Sequence, residues 1–276
     1  MNLSNIPSLA LAHLSVLNVP PLELVSLAAK VGFSDIGLRL YPAFSGSIFY
    51  ELPEGSAQCR DMQRRLSDEG IGVNDIEFIG IGENFNPSDL QGLLDTAGAL
   101  GAKRLYVCGD DPDQTRLIDN YARLCELAAP YDLYVELEYM AWRAVKNFED
   151  AFDVVTAAGQ SNGGMLIDAL HLFRTGGTVQ DILRAPDFIH SIQLCDAIAE
   201  QCPATSEDLL QEARSGRLAP GQGSLPLKSL LTTLADGTAI SLEVPTNSDK
   251  PAAQHAQEIF QSTINLIHRV EESLCL

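Results

Sequence analysis

Eight short apolar runs, rich in β-branched residues, alternate with amphipathic helical segments along the 276 residues, and few folds accept that rhythm. The runs Leu9–Val16, Asp35–Leu40, Gly72–Ile79, Arg104–Cys108, Leu133–Met140, Met165–Leu170, Phe188–Cys195 and Ile240–Val244 read as strands. Helical spacing fills the intervals over Pro21–Val31, Gly55–Glu69, Asp89–Leu100, Gln114–Ala129, Phe148–Ala158, Thr178–Arg184, Ser206–Ser215, Leu227–Ala235 and Ala252–Glu272. Gly32, Gly101 and Gly159 supply helix stops. With Arg39, Glu77, Cys108, Glu138, Asp168, Gln193 and Glu243 as strand-end markers, successive gaps are 38, 31, 30, 30, 25 and 50 residues. A period of about 30 residues houses one strand, one helix and two short loops. The longest gap holds an inserted loop at about 197–226, and no Pro/Gly/Ser linker divides the chain. The expectation is an α/β protein, a single (β/α)8 TIM barrel over residues 1–276. Eight units and a closing helix favour it over a doubly wound open sheet.

Charge narrows the partners. With 18 Lys and Arg against 37 Asp and Glu, the net charge of −19 repels nucleic-acid backbones and acidic membrane surfaces. The opening Met1-Asn2-Leu3-Ser4-Asn5 lacks the basic segment of a signal peptide, and no run approaches the ~20 apolar residues of a membrane span. Six scattered cysteines without a CxxC pair, Cys275 among them, read as reduced thiols in a cytoplasmic protein. Gly80-Ile81-Gly82 lacks the third glycine of a dinucleotide fingerprint and reads as a loop.

Barrel chemistry sits at the carboxyl ends of the strands, where inward side chains converge. Strand side chains alternate with period two, so the last inward residues of strands five to eight are Glu138, Asp168, Gln193 and Glu243. Three carboxylates meeting in a pore repel one another unless a cation lies among them. Four oxygen donors suit a hard divalent ion, Mn²⁺ or Mg²⁺ first, with Co²⁺ or Zn²⁺ also within range. The bland alternative, helix caps and ion pairs, stays open on pattern alone.

Other polar residues surround this group. Glu136 lies one inward layer below Glu138 and needs a partner, Arg39 or another pore residue. Glu77, ending strand three, either contacts substrate or balances Arg39. Trp142 and Tyr139 either wall the pocket or pack, His13 ends strand one near the mouth, and His190 faces the helices.

Five segments occur in order: Leu137-Glu138-Tyr139-Met140-Ala141-Trp142, Ile167-Asp168-Ala169-Leu170-His171, Ile192-Gln193-Leu194-Cys195-Asp196, Arg217-Leu218-Ala219-Pro220-Gly221-Gln222-Gly223 and Ser241-Leu242-Glu243-Val244. The series resembles the xylose-isomerase-like TIM-barrel superfamily of sugar-phosphate isomerases and epimerases, over essentially the whole chain. The resemblance implies Glu138, Asp168, Gln193 and Glu243 as metal ligands, with Glu138 and Glu243 as the acid/base pair. It makes His171 and Arg217 substrate contacts. Placement at the strand ends adds Glu77, Arg39 and Trp142 as expected substrate contacts, with Asp196 and Glu136 supporting the site from behind. Gln193 stands where many family epimerases carry His. Endonuclease IV, in the same superfamily, needs more histidines than the five present.

The implied activity is divalent-metal-dependent isomerisation or epimerisation of a sugar, keto-sugar or cyclitol through an enediolate. A dehydratase of the inosose or 3-dehydroshikimate type would use the same residues, and a ligand-binding barrel without catalysis is the alternative from another class. Nothing resembling a phosphate cradle is visible near the strand ends. The sequence leaves the oligomeric state, homo-oligomer included, open.

Overall fold

A computed structural model describes residues 8–274, so the Met1–Asn5 and Cys275 readings lie outside the described residues. Eight parallel strands close a barrel in chain order: β1 (Leu9–Leu11), β2 (Asp35–Arg39), β3 (Gly72–Ile81), β4 (Arg104–Gly109), β5 (Tyr134–Glu138), β6 (Gly163–Asp168), β7 (Ser191–Leu194) and β8 (Ala239–Leu242). Leu9, Ala10 and Leu11 pair with Ile240, Ser241 and Leu242 and complete the ring. Around it lie α1 (Pro21–Val31), α2 (Ala57–Glu69), α3 (Gln91–Ala99), α4 (Gln114–Ala128), α5 (Phe148–Ala158), α6 (Ala169–Arg174), α7 (Val179–Arg184), α8 (Ser206–Ser215), α9 (Leu227–Thr233) and α10 (Ala252–Leu274). The fold is a single (β/α)8 TIM barrel. No described helix is long and apolar enough to cross a membrane.

Helix ends follow local chemistry. Ser56, Asp113 and Asn147 accept backbone N–H bonds at the starts of α2, α4 and α5, satisfying donors that the first turn leaves free. Outward strand residues such as Leu105, Leu137, Ile167 and Ile192 are buried between barrel and helices. That apolar shell frees the pore side of the strands for polar groups.

Several boundaries differ from expectation. β1 stops at Leu11, and His13–Val16 forms a 3-10 turn. His13 therefore does not reach the mouth. It is fully buried, accepts the Arg39 N–H at Nδ1 (3.0 Å) and lies 2.9 Å from Val19 O through Nε2. β6 ends at Asp168 rather than Leu170, because the Asp168 carboxylate caps α6 by accepting the His171 N–H (3.0 Å). β3 continues to Ile81, so Gly80-Ile81 is strand rather than loop and Glu77 lies within the strand. The β2–β3 register slips at Asn74, between the Ile36–Val73 and Gly37–Asp75 pairs, and again in β3–β4 between Ile76 and Ile79. Such bulges re-aim side chains in a barrel. At Gly37 a Cβ would lie 2.6 Å from the Asp75 carboxylate, so only glycine gives Asp75 room inside the pore.

Candidate active site

Strand register brings the four expected donors to one rim. Glu138 pairs with Leu166 across β5–β6, Asp168 with Gln193 across β6–β7, and Gln193 with Ser241 across β7–β8. Glu243 follows β8 directly, and its N–H donates to Leu194 O (3.2 Å). All four side chains are buried, Glu138 and Glu243 at 5% and 4% exposed. A cavity of about 420 Å³ opens above them. Glu138, Gln193, Glu243, His171, Arg217, Arg39, Glu77 and Trp142 line it. Asp168 lies under the floor, covered by Arg217, while Glu136 and Asp196 stand behind the wall.

Ligand atoms of Glu138, Asp168 and His171 all lie within 4.8 Å of one another, and His171 Nε2 is 3.6 Å from Glu138 Oε1. His171, expected as a substrate contact, thus stands as close to the carboxylates as a metal ligand would. Burial holds its pKa down at about 4, keeping the imidazole neutral at pH 7. Arg217 crosses the floor: Nη1 contacts the Asp168 carboxylate, Nη2 lies 3.0 Å from Glu243 Oε2, and Nε donates to Ala213 O (2.9 Å). Gln193 Nε2 donates to Glu243 Oε1 (2.9 Å), which leaves Gln193 Oε1 buried with no partner.

The carboxylates divide in character. Burial and the neighbouring Asp168 and Glu243 push Glu138 well above the usual range. Burial raises Glu243 to about 8 even though Arg217 opposes it. Asp168 is also buried, but Arg217 and His171 outweigh that and hold it below its ordinary value. A buried acid cluster that cannot ionise freely, with an orphaned amide oxygen at its edge, is the environment a divalent cation relieves. The residues present therefore fit such an ion: the Glu138, Asp168, Gln193 and Glu243 oxygens, with the His171 nitrogen adjacent.

The supporting residues separate by location. Glu136 is not paired to Arg39. Arg104 Nε donates to it (3.2 Å) and Ser191 donates to its other oxygen, in a layer that Tyr106 and Asn74 extend. Burial lifts its pKa to about 7. Arg39 instead faces Glu77, with Nη2 to Oε1 at 3.5 Å. Asp196 is 1% exposed and accepts four backbone N–H bonds, from Ala197, Gly221, Gly223 and Leu225. It also pairs with Leu218 in both directions at 2.8 Å, which fixes the segment carrying Arg217.

Trp142 meets His171 edge-on, ring centroids 5.2 Å apart, whereas Tyr139 packs against Phe148 away from the cavity. His190 packs on Tyr134, centroids 4.5 Å apart. Sequence reasoning missed Arg104, Tyr106, Arg143 and Arg214. Arg104 opens β4 at the amino end of the strand, away from the rim, so nothing in its local pattern marks it. Arg143 follows Trp142 in the same loop, and Arg214 stands one turn before Arg217.

The chain belongs to the xylose isomerase-like TIM barrel family, whose model matches residues 25–263. The 3-dehydroshikimate dehydratase of Pseudomonas aeruginosa is 28% identical over 236 residues, 78% of this chain and 36% of that protein. This chain thus spans little more than a third of that relative. The inosose isomerase of Bacillus subtilis (strain 168) is 23% identical over 209 residues, 68% of this chain and 71% of that protein. Among solved structures, an IOLI protein crystallised with a zinc atom superposes with a TM-score of 0.76 at 19% identity, covering 95% of this chain and 99% of that one. Of the two sequence relatives, one is named as a dehydratase and the other as an isomerase.

Proposed function

We propose that the chain is a divalent-metal-dependent isomerase or epimerase of a small hydroxy-ketone, a keto-sugar or cyclitol, working through an enediolate. The single observation that carries this reading is the buried, unpartnered Gln193 Oε1 beside three converging carboxylates. Glu138, Asp168, Gln193 and Glu243 would hold the ion. When bound, it would polarise the substrate carbonyl and offset the charge of the enediolate. Manganese and magnesium suit the oxygen donors, and the zinc of the IOLI structure supports zinc as a further occupant.

Among the described residues Glu138 has no hydrogen-bond donor on its carboxylate beyond the imidazole 3.6 Å away, which would leave it free to take a proton from the carbon next to the carbonyl. Glu243, anchored by Gln193 and Arg217, would return a proton. Arg217 would hold Asp168 and Glu243 apart, and Trp142 would keep water from the reacting carbon. The buried thiols support the cytoplasmic expectation.

Dehydration is the second reading. It is favoured by the Pseudomonas aeruginosa relative, a 3-dehydroshikimate dehydratase. Incubating the manganese-loaded protein with inososes and keto-sugars in D₂O separates the two. Deuterium in recovered ketone without enone absorbance supports isomerisation, and an enone with loss of water supports dehydration. Neither, over all metals tried, contradicts enolisation.

A further inference from the structure

Beneath the rim the pore holds a closed ring of hydrogen bonds. Arg104 Nη1 donates to Asn74 Oδ1 (3.0 Å), Asn74 Nδ2 to the Tyr106 hydroxyl (3.0 Å), and that hydroxyl to Ser191 Oγ (3.0 Å). Ser191 donates in turn to one Glu136 oxygen, and Arg104 Nε donates to the other at 3.2 Å, which closes the circuit. Asn74, Tyr106, Glu136 and Ser191 are all buried. The bulge in β3 makes the ring possible, because Asn74 is the residue skipped in the β2–β3 register and its amide joins Arg104 and Tyr106 inside the barrel. A buried network with every member satisfied holds one arrangement, since each broken bond strands a polar group away from water.

The ring ties together strands that the sheet does not. It spans β3, β4, β5 and β7, and β6 lies between the last two, so no ladder bond joins β5 to β7. The Ser191–Glu136 bond does. Ser191 stands two residues before Gln193 and Glu136 two before Glu138, on the same face of each strand. These are the rim donors whose oxygens lack a side-chain anchor. Arg217 reaches both Asp168 and Glu243, whereas Gln193 Oε1 has no partner and Glu138 faces only the imidazole. The separation of those two oxygens is therefore set by the backbones of β5 and β7, and the ring fixes those backbones across the pore.

We propose that Tyr106, through this ring, is a positioning residue that fixes the gap between Glu138 and Gln193 and so decides the size of ion the rim accepts. The proposal rests on the metal-dependent reading above. Magnesium demands near-ideal geometry at about 2.0–2.1 Å, whereas calcium tolerates a flexible cage at about 2.3–2.6 Å, so a rim held at one width discriminates by size. A loosened rim keeps the same oxygens but loses the discrimination.

Calorimetric titration of the metal-free full chain with manganese, the smaller ion, and with calcium tests this. A firm rim predicts manganese binding at least about 10-fold more tightly than calcium in the unaltered protein. Tyr106→Phe, which keeps the aromatic ring and removes the hydroxyl, should lower manganese affinity by about 10-fold while calcium affinity holds. Ser191→Ala opens the ring at a second bond and should act alike, and the two changes together should lose less than their sum, because a ring opens once. Thr263→Val, which removes a buried hydroxyl bonded within α10, should leave the preference unchanged. Equal binding of both ions by the unaltered protein would overturn the proposal, and that comparison needs no variant to fold. An unchanged preference in a folded Tyr106→Phe protein, additive losses in the double variant, or the same loss in Thr263→Val would overturn it as well. In each of those cases manganese is still bound by the unaltered chain and the metal-dependent reading stands. No ion bound by the unaltered chain would remove that reading and this proposal together.

Discussion

Two glutamates, Glu138 and Glu243, line the cavity with different freedom. Glu138 faces only an imidazole, while Glu243 is held by an amide and a guanidinium. If both move protons, removing either carboxylate's basicity without its shape should cost activity and not structure. Glu138→Gln and Glu243→Gln are each expected to lower turnover by about 10²- to 10⁴-fold, with unchanged circular dichroism and thermal midpoint. Near-normal turnover in a folded Glu243→Gln protein would count against the pair. Asp196 acts at a distance. Its four accepted N–H bonds go to a charged oxygen pair, so Asp196→Ala should destabilise the protein by about 2–4 kcal/mol in urea titration. Turnover should fall too, because Leu218, paired to Asp196, is the neighbour of Arg217. That Glu138, Asp168, Gln193 and Glu243 end their strands towards the rim was legible from strand parity. Their partners were not: Arg104, which meets Glu136, is separated from it by 32 residues and sits at the opposite end of its strand.

At the level of elements, the departures from a regular pattern fall beside the site. Apolar Ala169-Leu170 extend a strand pattern, yet the chain turns helical there because Asp168 caps the next turn. A carboxylate on the rim is thereby tied to the start of α6, which delivers His171. In β3 the register slips twice, so parity counted along its sequence misplaces Glu77 as a strand end. Periodicity sees neither event, since a bulge is one residue long and a cap is one side chain. The segment 217–226 makes a sharper prediction. A Cβ at Gly223 would lie 2.3 Å from Ala197 O and 2.5 Å from the Asp196 carboxylate, backbone and anchor together. Gly223→Ala should therefore loosen this segment, seen as faster proteolysis within 197–226 and reduced turnover, while the far side of the barrel keeps its hydrogen-exchange protection. Equal loss of protection everywhere would contradict a local role.

Taken as a whole molecule, the barrel has an apolar shell around a polar pore, and that pore holds more acid than a metal-free fold would favour. Asp75 shows the cost. It is fully buried, one oxygen has no partner, and burial followed by the charge of Glu77 raises its pKa well above the usual carboxylate value. A carboxyl with a raised folded-state pKa binds more protons folded than unfolded. Its stabilising contribution is present below about pH 3.9, the unfolded value, and is lost as pH rises towards the folded value, by about 1.4 kcal/mol per pH unit. Asp75→Asn, which cannot ionise, should thus gain stability over the unaltered protein at pH 8, and the gain should shrink towards pH 4. Urea midpoints at the two pH values read this directly; an equal effect at both would contradict it. The eightfold rhythm made the barrel legible because each unit repeats one burial pattern. The pore's contents were less so, since inward residues obey their partners across the barrel and not their neighbours in sequence.

The central claim is that Glu138, Asp168, Gln193 and Glu243 together hold one divalent ion. Metal analysis after dialysis against manganese and then metal-free buffer tests it most directly, comparing the unaltered chain with Gln193→Ala and Asp168→Asn. One ion per unaltered chain, lost in both variants while the fold persists, is the predicted result. No retained ion in the unaltered protein, or full retention in both variants, would contradict it.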